Sequence, residues 1–171
     1  MTNTSPLADL ATEMDFSPVE IQHMLDNLDS FSSEELEEID KIVGELSTRK
    51  HNQSAHDDLI EFCKRMQPDY KVGRHHRILA DQLMALEDGS KDRVCVNIPP
   101  RHGKSQLVSI MYPAWFLGRN PNKKVMMVSH TTDLAVDFGR KVRNLISVDA
   151  YKDIFPEVSL AIDSKSAGRW N

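Results

Sequence analysis

The sequence predicts an α/β fold, in which a parallel sheet follows a short all-helical N-terminal region. Two apolar, β-branched runs at residues 93–98 and 124–129 have the length and composition of buried strands. A helical pattern follows each run, and the order strand, helix, strand, helix is typical of a parallel sheet with right-handed crossovers. Before them lies an acidic stretch whose apolar residues recur at helical spacing.

The first 66 residues predict a series of short helices. The stretch 17–20 (Ser-Pro-Val-Glu) is a capping-box start with proline at the first helical position. A second helix is expected after Ser32 or Ser33, and a third is expected to start near Ser54. The second helix carries apolar residues at Leu36, Ile39, Ile42, Val43 and Leu46. We assign residues 1–66 to an acidic helical N-terminal region.

A turn-rich segment at residues 67–74 separates this region from the rest of the chain. It contains Pro68 and Gly73, which interrupt helical patterns. We assign residues 67–171 to a second domain, which starts with a helix at 75–86. Because only two strands are visible before the last residue, we expect the sequence to be part of a longer protein.

Two further helices are expected after the two predicted strands. The first covers residues 104–117, and Pro113 should kink or end it. The second is capped by Thr131 or Thr132 and runs to Ile146. Both would be the crossover helices of a parallel sheet.

Charge is distributed unevenly along the chain, whose net charge is −5. Residues 1–62 hold 15 acidic and 3 basic residues, whereas residues 63–171 hold 11 acidic and 18 basic residues. A basic second part is compatible with a phosphate-bearing partner, and equally with an ordinary solvated surface. The longest apolar stretch is too short to span a bilayer, and the start has no secretory signal pattern. The two cysteines lack metal-ligand spacing and are expected to be reduced core thiols.

The motif with the clearest chemistry is Pro-Pro-Arg-His-Gly-Lys-Ser at residues 99–105, here called the phosphate loop. Gly-Lys-Ser between a buried strand and a helix is the context of nucleotide-binding loops of the P-loop NTPase type. Free N–H groups at a helix start attract anions, and Gly103 lets phosphate approach the backbone. Lys104 would contact the β- and γ-phosphate oxygens, and the Ser105 hydroxyl would bind Mg²⁺.

The loop departs from the common pattern at one position. Ile98 stands where most such loops have their first glycine, so the two prolines must stiffen the loop instead. The alternative interpretation is a lysine at a helix start that binds no ligand. We expect Lys104 and Arg101 to be catalytic, with Arg101 either stabilising transition-state charge or forming a loop-shaping ion pair. The residues expected to contact ATP are Pro100, Arg101, His102, Gly103, Lys104, Ser105 and Gln106.

Residues 96–130 (VNIPPRHGKSQLVSIMYPAWFLGRNPNKKVMMVSH), together with LAVDFGRKVRNLI, YKDIF and RHHRILADQLMAL, resemble the ATPase domain of phage terminase large subunits. The resemblance covers about residues 70–170 and does not include residues 1–66. It implies an Mg²⁺-dependent ATPase that forms a ring at the capsid portal and moves double-stranded DNA into the procapsid without reading its sequence. Portal, procapsid and small terminase subunit are the implied partners, the host cytoplasm is the implied location, and no membrane is involved.

The same resemblance sets two expectations that this sequence does not meet. No apolar run ending in Asp-Glu follows the phosphate loop, so the family's Mg²⁺-coordinating Asp and water-activating Glu are missing. The family's nuclease domain is missing too. We therefore expect this chain alone to turn over ATP poorly.

Several other residues have both a functional and a structural interpretation. Tyr70 and residues 74–76 (Arg-His-His) could contact adenine, or could simply form an exposed helix start. Residues 129–131 could contact DNA, sense nucleotide or cap a helix. The basic residues of 140–143 could contact DNA phosphate or a neighbouring subunit, or form a solvated face.

Two other functions stay open on the sequence. The chain could belong to another DNA translocase, such as a helicase. It could also be an interaction module that docks another packaging component through its acidic helices.

Overall fold

The computed structural model describes residues 32–160, and the chain divides into two compact units, residues 1–50 and residues 51–171. The helix predicted from Ser17 lies outside the described residues. The helices are α1 (Ser33–Asp57), α2 (Leu59–Met66), α3 (Arg74–Glu87), α4 (Lys104–Gln106), a π turn (Leu107–Met111), α5 (Tyr112–Arg119), α6 (Thr132–Ile146) and α7 (Asp149–Ile154).

The predicted parallel sheet of the P-loop NTPase type is wrong for the part of the chain that the structure describes, because residues 32–160 contain helices and no strand. Both segments predicted as strands, 93–98 and 124–129, are irregular, and their backbones have no hydrogen-bond partner between residues 32 and 160. Residues of both segments line one apolar cleft of about 480 Å³. Met126 and Val128 are each 86% exposed.

The physical reason is that a strand needs a neighbour. Its backbone groups are satisfied by an adjacent strand, and parallel sheets are stable when both faces are covered. Here α3, the π turn and α6 contribute side chains to the cleft, while the two apolar segments do not pair with each other. The β-branched composition therefore identified both segments correctly as apolar, but it did not show whether they would pair with a neighbouring strand.

The break between α1 and α2 lies later than the sequence suggested. Helix α1 continues through Ser54 to Asp57, and Asp58 caps α2 instead. The Asp58 Oδ1 accepts hydrogen bonds from the N–H groups of Ile60 at 2.7 Å and Glu61 at 2.9 Å. This bond pair satisfies two donors that a helix start leaves open, and so it fixes where α2 begins.

The hydrophobic core of the second unit joins the end of α1, α2, α3, the π turn and the last three helices. Trp115 of α5 is fully buried, and its Nε1–H points at the carbonyls of Ala55 and His56, at 3.2 and 3.0 Å. The buried hydrophobic residues packed together are Ala55, Leu59, Ile60, Phe62, Cys63, Leu79, Ala80, Leu83, Leu107, Met111, Ala114, Trp115, Val142, Ile146, Tyr151, Ile154 and Phe155.

Helices α3 and α6 follow the expectations from sequence, whereas the predicted helix at residues 104–117 is divided into α4, the π turn and α5. Helix α3 covers Arg74–Glu87, and α6 starts after Thr131, whose Oγ1 accepts from the N–H of Leu134 at 3.4 Å. The sequence predicted that Pro113 would kink or end this helix, but the chain stays helical through Pro113, and the π turn ends at Met111, two residues before the proline. Proline lacks an N–H and clashes with the carbonyl four residues earlier, and a widened turn accommodates both. Helix α7 (Asp149–Ile154) was not predicted.

Candidate phosphate site

The backbone of the phosphate loop turns sharply before α4. Arg101 has a φ of 64° and Gly103 a φ of 74°, both in the left-handed region. Gly103 is the residue from which the helix starts, with no side-chain cap, and its carbonyl accepts from the N–H of Leu107 at 3.0 Å. A left-handed turn at this point is favoured by glycine, since any β-carbon would be strained there.

The start of α4 leaves hydrogen-bond donors open. No acceptor within residues 32–160 receives the N–H groups of Lys104, Ser105 or Gln106. Ser105 is exposed and Lys104 is partly exposed, and over the same residues neither Lys104 nor Arg101 has an ion-pair partner. Three free amides beside two unpaired cations form a surface that can bind an anion.

Two histidines at the start of α3 hold the loop from behind. The carbonyl oxygen of His102 lies 3.2 Å from the Nε2 of His75 and 3.1 Å from the Nε2 of His76. The two imidazole nitrogens are 3.1 Å apart, and the two ring centroids are 4.0 Å apart. The last peptide before Gly103 is thus anchored to a helix that packs into the core.

Further contacts shape the remaining loop residues. The Nδ1 of His102 lies 2.8 Å from the carbonyl oxygen of Pro100, so this side chain folds back onto its own loop. The Nε2 of Gln106 donates to the Oε1 of Gln67 at 3.4 Å, which ties the helix start to the end of α2. Of the predicted ATP contacts, the side chains of Gln106 and His102 therefore already have protein partners, whereas the side chains of Arg101, Lys104 and Ser105 have none in the described residues.

The surroundings of His76 favour its neutral form. Its Nδ1 accepts the N–H of Gly73 at 3.0 Å, and its side chain is only 8% exposed. Burial lowers the pKa of His76 below its ordinary value of 6.5, and the neighbouring charge of His75 lowers the pKa further. The bond to the His102 carbonyl acts in the opposite direction. Because Nδ1 is an acceptor, the proton of the neutral ring is assigned to Nε2.

The residues present suit a magnesium–nucleotide complex, although they would not hold a metal alone. No group of three or more His, Cys, Asp or Glu side chains suited to a metal ion occurs within residues 32–160. Mg²⁺ in nucleotide sites commonly takes one or two protein oxygens, with phosphate and water completing its shell. The exposed Ser105 hydroxyl supplies one such oxygen beside the open amides.

Two of the residues predicted as possible adenine contacts, His76 and Arg74, differ in how accessible they are. The ring nitrogens of His76 are occupied by Gly73 and His102, and the ring lies 5.6 Å from that of Tyr70, so His76 is not free to bind a base. Arg74 is exposed. The spacing of Gly73 and His76 is that of a helix cap and its third residue. No sequence signal showed the contact to His102, which lies 26 positions further along the chain.

Two other candidate surfaces are less favourable for a ligand. Arg140 and Lys141 both pair with Asp137, at 2.6 and 2.7 Å, so one carboxylate within the helix offsets part of the positive charge of this face of α6. Thr131 caps α6, as one of its two sequence interpretations proposed. His130 beside it is exposed.

None of the helices within residues 32–160 is long and apolar enough to cross a bilayer. Comparison of the chain with protein-family models, with curated proteins and with solved structures gave no match.

Proposed function

We propose that the phosphate loop binds the polyphosphate of ATP together with Mg²⁺. The observation that carries this proposal is the start of α4, where the N–H groups of Lys104, Ser105 and Gln106 have no acceptor among the described residues. An anion at this point would satisfy them and would meet the favourable end of the helix dipole.

Each side chain at the loop then has a role that its chemistry allows. Lys104 contacts the terminal phosphate oxygens as a mobile cation, and the Ser105 hydroxyl is a ligand of Mg²⁺. In hydrolysis a water would attack the γ-phosphorus while the bond from that phosphorus to the β–γ bridging oxygen breaks, which yields ADP and phosphate. The water-activating Glu of the family is missing from this sequence, so we expect this step to be slow in the chain alone. Arg101, exposed and without an ion pair in residues 32–160, stabilises the charge that develops on the γ-phosphate oxygens.

The wider process is proposed from the sequence resemblance to terminase large subunits. On that basis the ATP site belongs to a motor that moves double-stranded DNA into a viral procapsid in the host cytoplasm. It would work as a ring on the portal, with the small terminase subunit as partner. Contacts with DNA would be to the phosphate backbone, because the sequence offers no base-reading motif. Another P-loop translocase, such as a helicase, would use the same loop.

Calorimetric titration with ATP and Mg²⁺ tests the phosphate site. We expect the chain to bind, and Lys104→Ala to raise Kd by roughly 10- to 100-fold, because a hydrogen bond to a charged group contributes about 1.5–3 kcal/mol. Lys124→Ala, which removes one exposed positive charge outside residues 99–105, is the matched control and should bind like the unaltered chain. Equal losses in the two variants would mean that only net charge matters, and would remove the argument for a built site.

A second candidate function is supported by the exposed face of α1. Ile42 is 50% exposed and Leu46 is 42% exposed, on a helix with an acidic first half. Such apolar residues on an acidic helix suit docking to another packaging component. A double variant, Ile42→Glu with Leu46→Glu, should abolish capture of the small terminase subunit and leave ATP binding unchanged. Undiminished capture would exclude this surface.

A further inference from the structure

The contacts behind the loop define how its open amides are kept in place. His76 makes hydrogen bonds at both ring nitrogens, one to the residue before α3 and one to the residue before Gly103. It therefore connects the start of one helix to the start of another through a single side chain. The two acceptor–donor roles are fixed, because a neutral imidazole carries only one N–H.

Packing leaves this ring little freedom to move. Its centroid lies 4.0 Å from that of His75 and 5.6 Å from that of Tyr70, and it is nearly buried. A β-carbon built on Gly103 would lie 2.5 Å from the Nε2 of His76. The edge of the ring that carries the donor thus lies against the backbone of the loop.

We propose that His76 is the positioning residue of the phosphate loop: its Nε2–H holds the His102 carbonyl and thereby fixes the Gly103 turn that presents the amides of residues 104–106 to phosphate. This inference rests on the proposed function, since it assigns a role within the same ATP site. His76 does not touch the nucleotide, because its ring lies behind the loop and both nitrogens are occupied.

His75 is a weaker candidate for the same role. Its Nε2 reaches the same carbonyl at 3.2 Å, but its side chain is less buried than that of His76. It also lacks a second anchor, because its hydrogen-bond contacts within the described residues are to His76 and His102 only. Without a bond at its other nitrogen its ring orientation is not fixed from both ends.

Two substitutions separate the roles of the two ring nitrogens. Asparagine at position 76 keeps an oxygen near the place of Nδ1, so His76→Asn retains the acceptor for the Gly73 N–H and loses the distant donor. Glutamine places its amide nitrogen near the place of Nε2, so His76→Gln retains the donor to His102 and loses the cap. A purely structural role at the start of α3 would predict that asparagine is the better replacement.

The experiment is calorimetric titration of the chain and both variants with Mg²⁺ and ADP, with thermal unfolding followed in parallel. We expect His76→Asn to weaken ADP binding by about tenfold, the loss of one hydrogen bond of about 1.4 kcal/mol, and His76→Gln to bind within about threefold of the unaltered chain. Asp81→Asn, at an exposed position of α3, is the control and should change neither property.

Each of the other possible results contradicts either the role of His76 or the phosphate site itself. ADP binding by His76→Asn at full affinity, or equal weakening in both variants, overturns the role of His76 and leaves the phosphate site standing. No ADP binding by the unaltered chain overturns the phosphate site and this inference together. If a variant fails to fold, nitrogen-15 NMR of the unaltered chain decides: a proton on Nε2 with a bare Nδ1 supports the assignment, and the opposite tautomer overturns it.

Discussion

The backbone of Gly118 lies directly against the ring of Phe155: a β-carbon on Gly118 would be 2.5 Å from Cδ2 of Phe155 and 2.6 Å from Cε2 and Cγ. Phe155 is 3% exposed and follows α7, while Gly118 is near the end of α5. Real β-carbon contacts are not that short, so the absence of a side chain at position 118 lets the end of α7 approach α5.

Gly118→Ala should destabilise the fold by about 1–3 kcal/mol, because the added methyl forces the buried Phe155 ring to move. The free energy of unfolding in urea measures this change. Gly44→Ala is the matched control, since a β-carbon at Gly44 of α1 would meet nothing within 4 Å. It should be stabilising by about 0.5–1 kcal/mol, the usual gain of alanine over glycine in a helix. Equal effects of the two substitutions would contradict the close packing.

Gly103→Ala should weaken ADP binding and destabilise the chain more than Gly89→Ala does. Both glycines have left-handed φ values, 74° and 79°, so each substitution has a similar backbone cost of about 1–2 kcal/mol. Only at position 103 would the methyl also collide with His76, because nothing lies within 4 Å at Gly89. Both variants are compared by titration with ADP and by unfolding in urea. Identical behaviour of the two variants would mean that the ring of His76 moves aside to make room for the methyl group.

Cys95 should react rapidly with an aromatic disulfide reagent, whereas Cys63 should react only after unfolding. Cys95 is exposed on the segment that had been predicted as a buried strand. Cys63 is fully buried in the core, and burial raises the pKa of its thiol to about 12. Burial keeps the reagent away from the thiol of Cys63, and the raised pKa keeps its reactive thiolate scarce.

The reaction also distinguishes the two accounts of residues 93–98. Cys95→Ser should abolish the fast phase of labelling under native conditions. Slow labelling of both thiols in the unaltered chain would indicate that Cys95 is covered, as a strand inside a sheet would be.

The stability of the chain should fall as pH drops below 6.5, in part through His76. Burial and the neighbouring His75 keep the pKa of His76 below that value in the folded chain. As pH falls through 6.5, His76 binds a proton more readily in the unfolded chain than in the folded chain, so the free energy of unfolding decreases.

Urea unfolding between about pH 7.5 and about pH 5.5 measures this dependence. His76→Gln lacks the titrating group and should lose less stability over the same range. The other histidines are common to both proteins, so only the difference between the two slopes is informative. Parallel slopes would show that His76 titrates normally in the folded chain.

The helices were predictable where the sequence carries local signals. Thr131 caps α6, and Gly73, which interrupts the helical pattern in the sequence, is the residue directly before α3. Local signals failed at Ser54, a good capping residue that lies inside α1, because Asp58 makes two backbone bonds there instead. Tertiary packing decides which of two capping residues a few positions apart starts the helix. The spacing of residues in the sequence does not show that packing.

The predicted strands failed for a different reason. Residues such as Val125 and Val128 favour a pleated, half-buried environment, but that preference does not specify a partner strand. Long-range contacts were equally out of reach, as with the bond from His76 to the His102 carbonyl. The Gly-Lys-Ser motif did locate a turn with open amides, because that geometry depends on residues adjacent in sequence.

The π turn at Leu107–Met111 determines how the phosphate loop is rotated about the helix axis relative to the residues that face the core. A helix advances by about 100° per residue, and a wide turn contains one residue more than a regular one. Removing a single residue from this turn would rotate Lys104 and the loop by about a quarter of a revolution relative to the buried face at Ala114 and Trp115. The loop would then no longer face the two histidines, so the position of the phosphate loop depends on the number of residues in this turn.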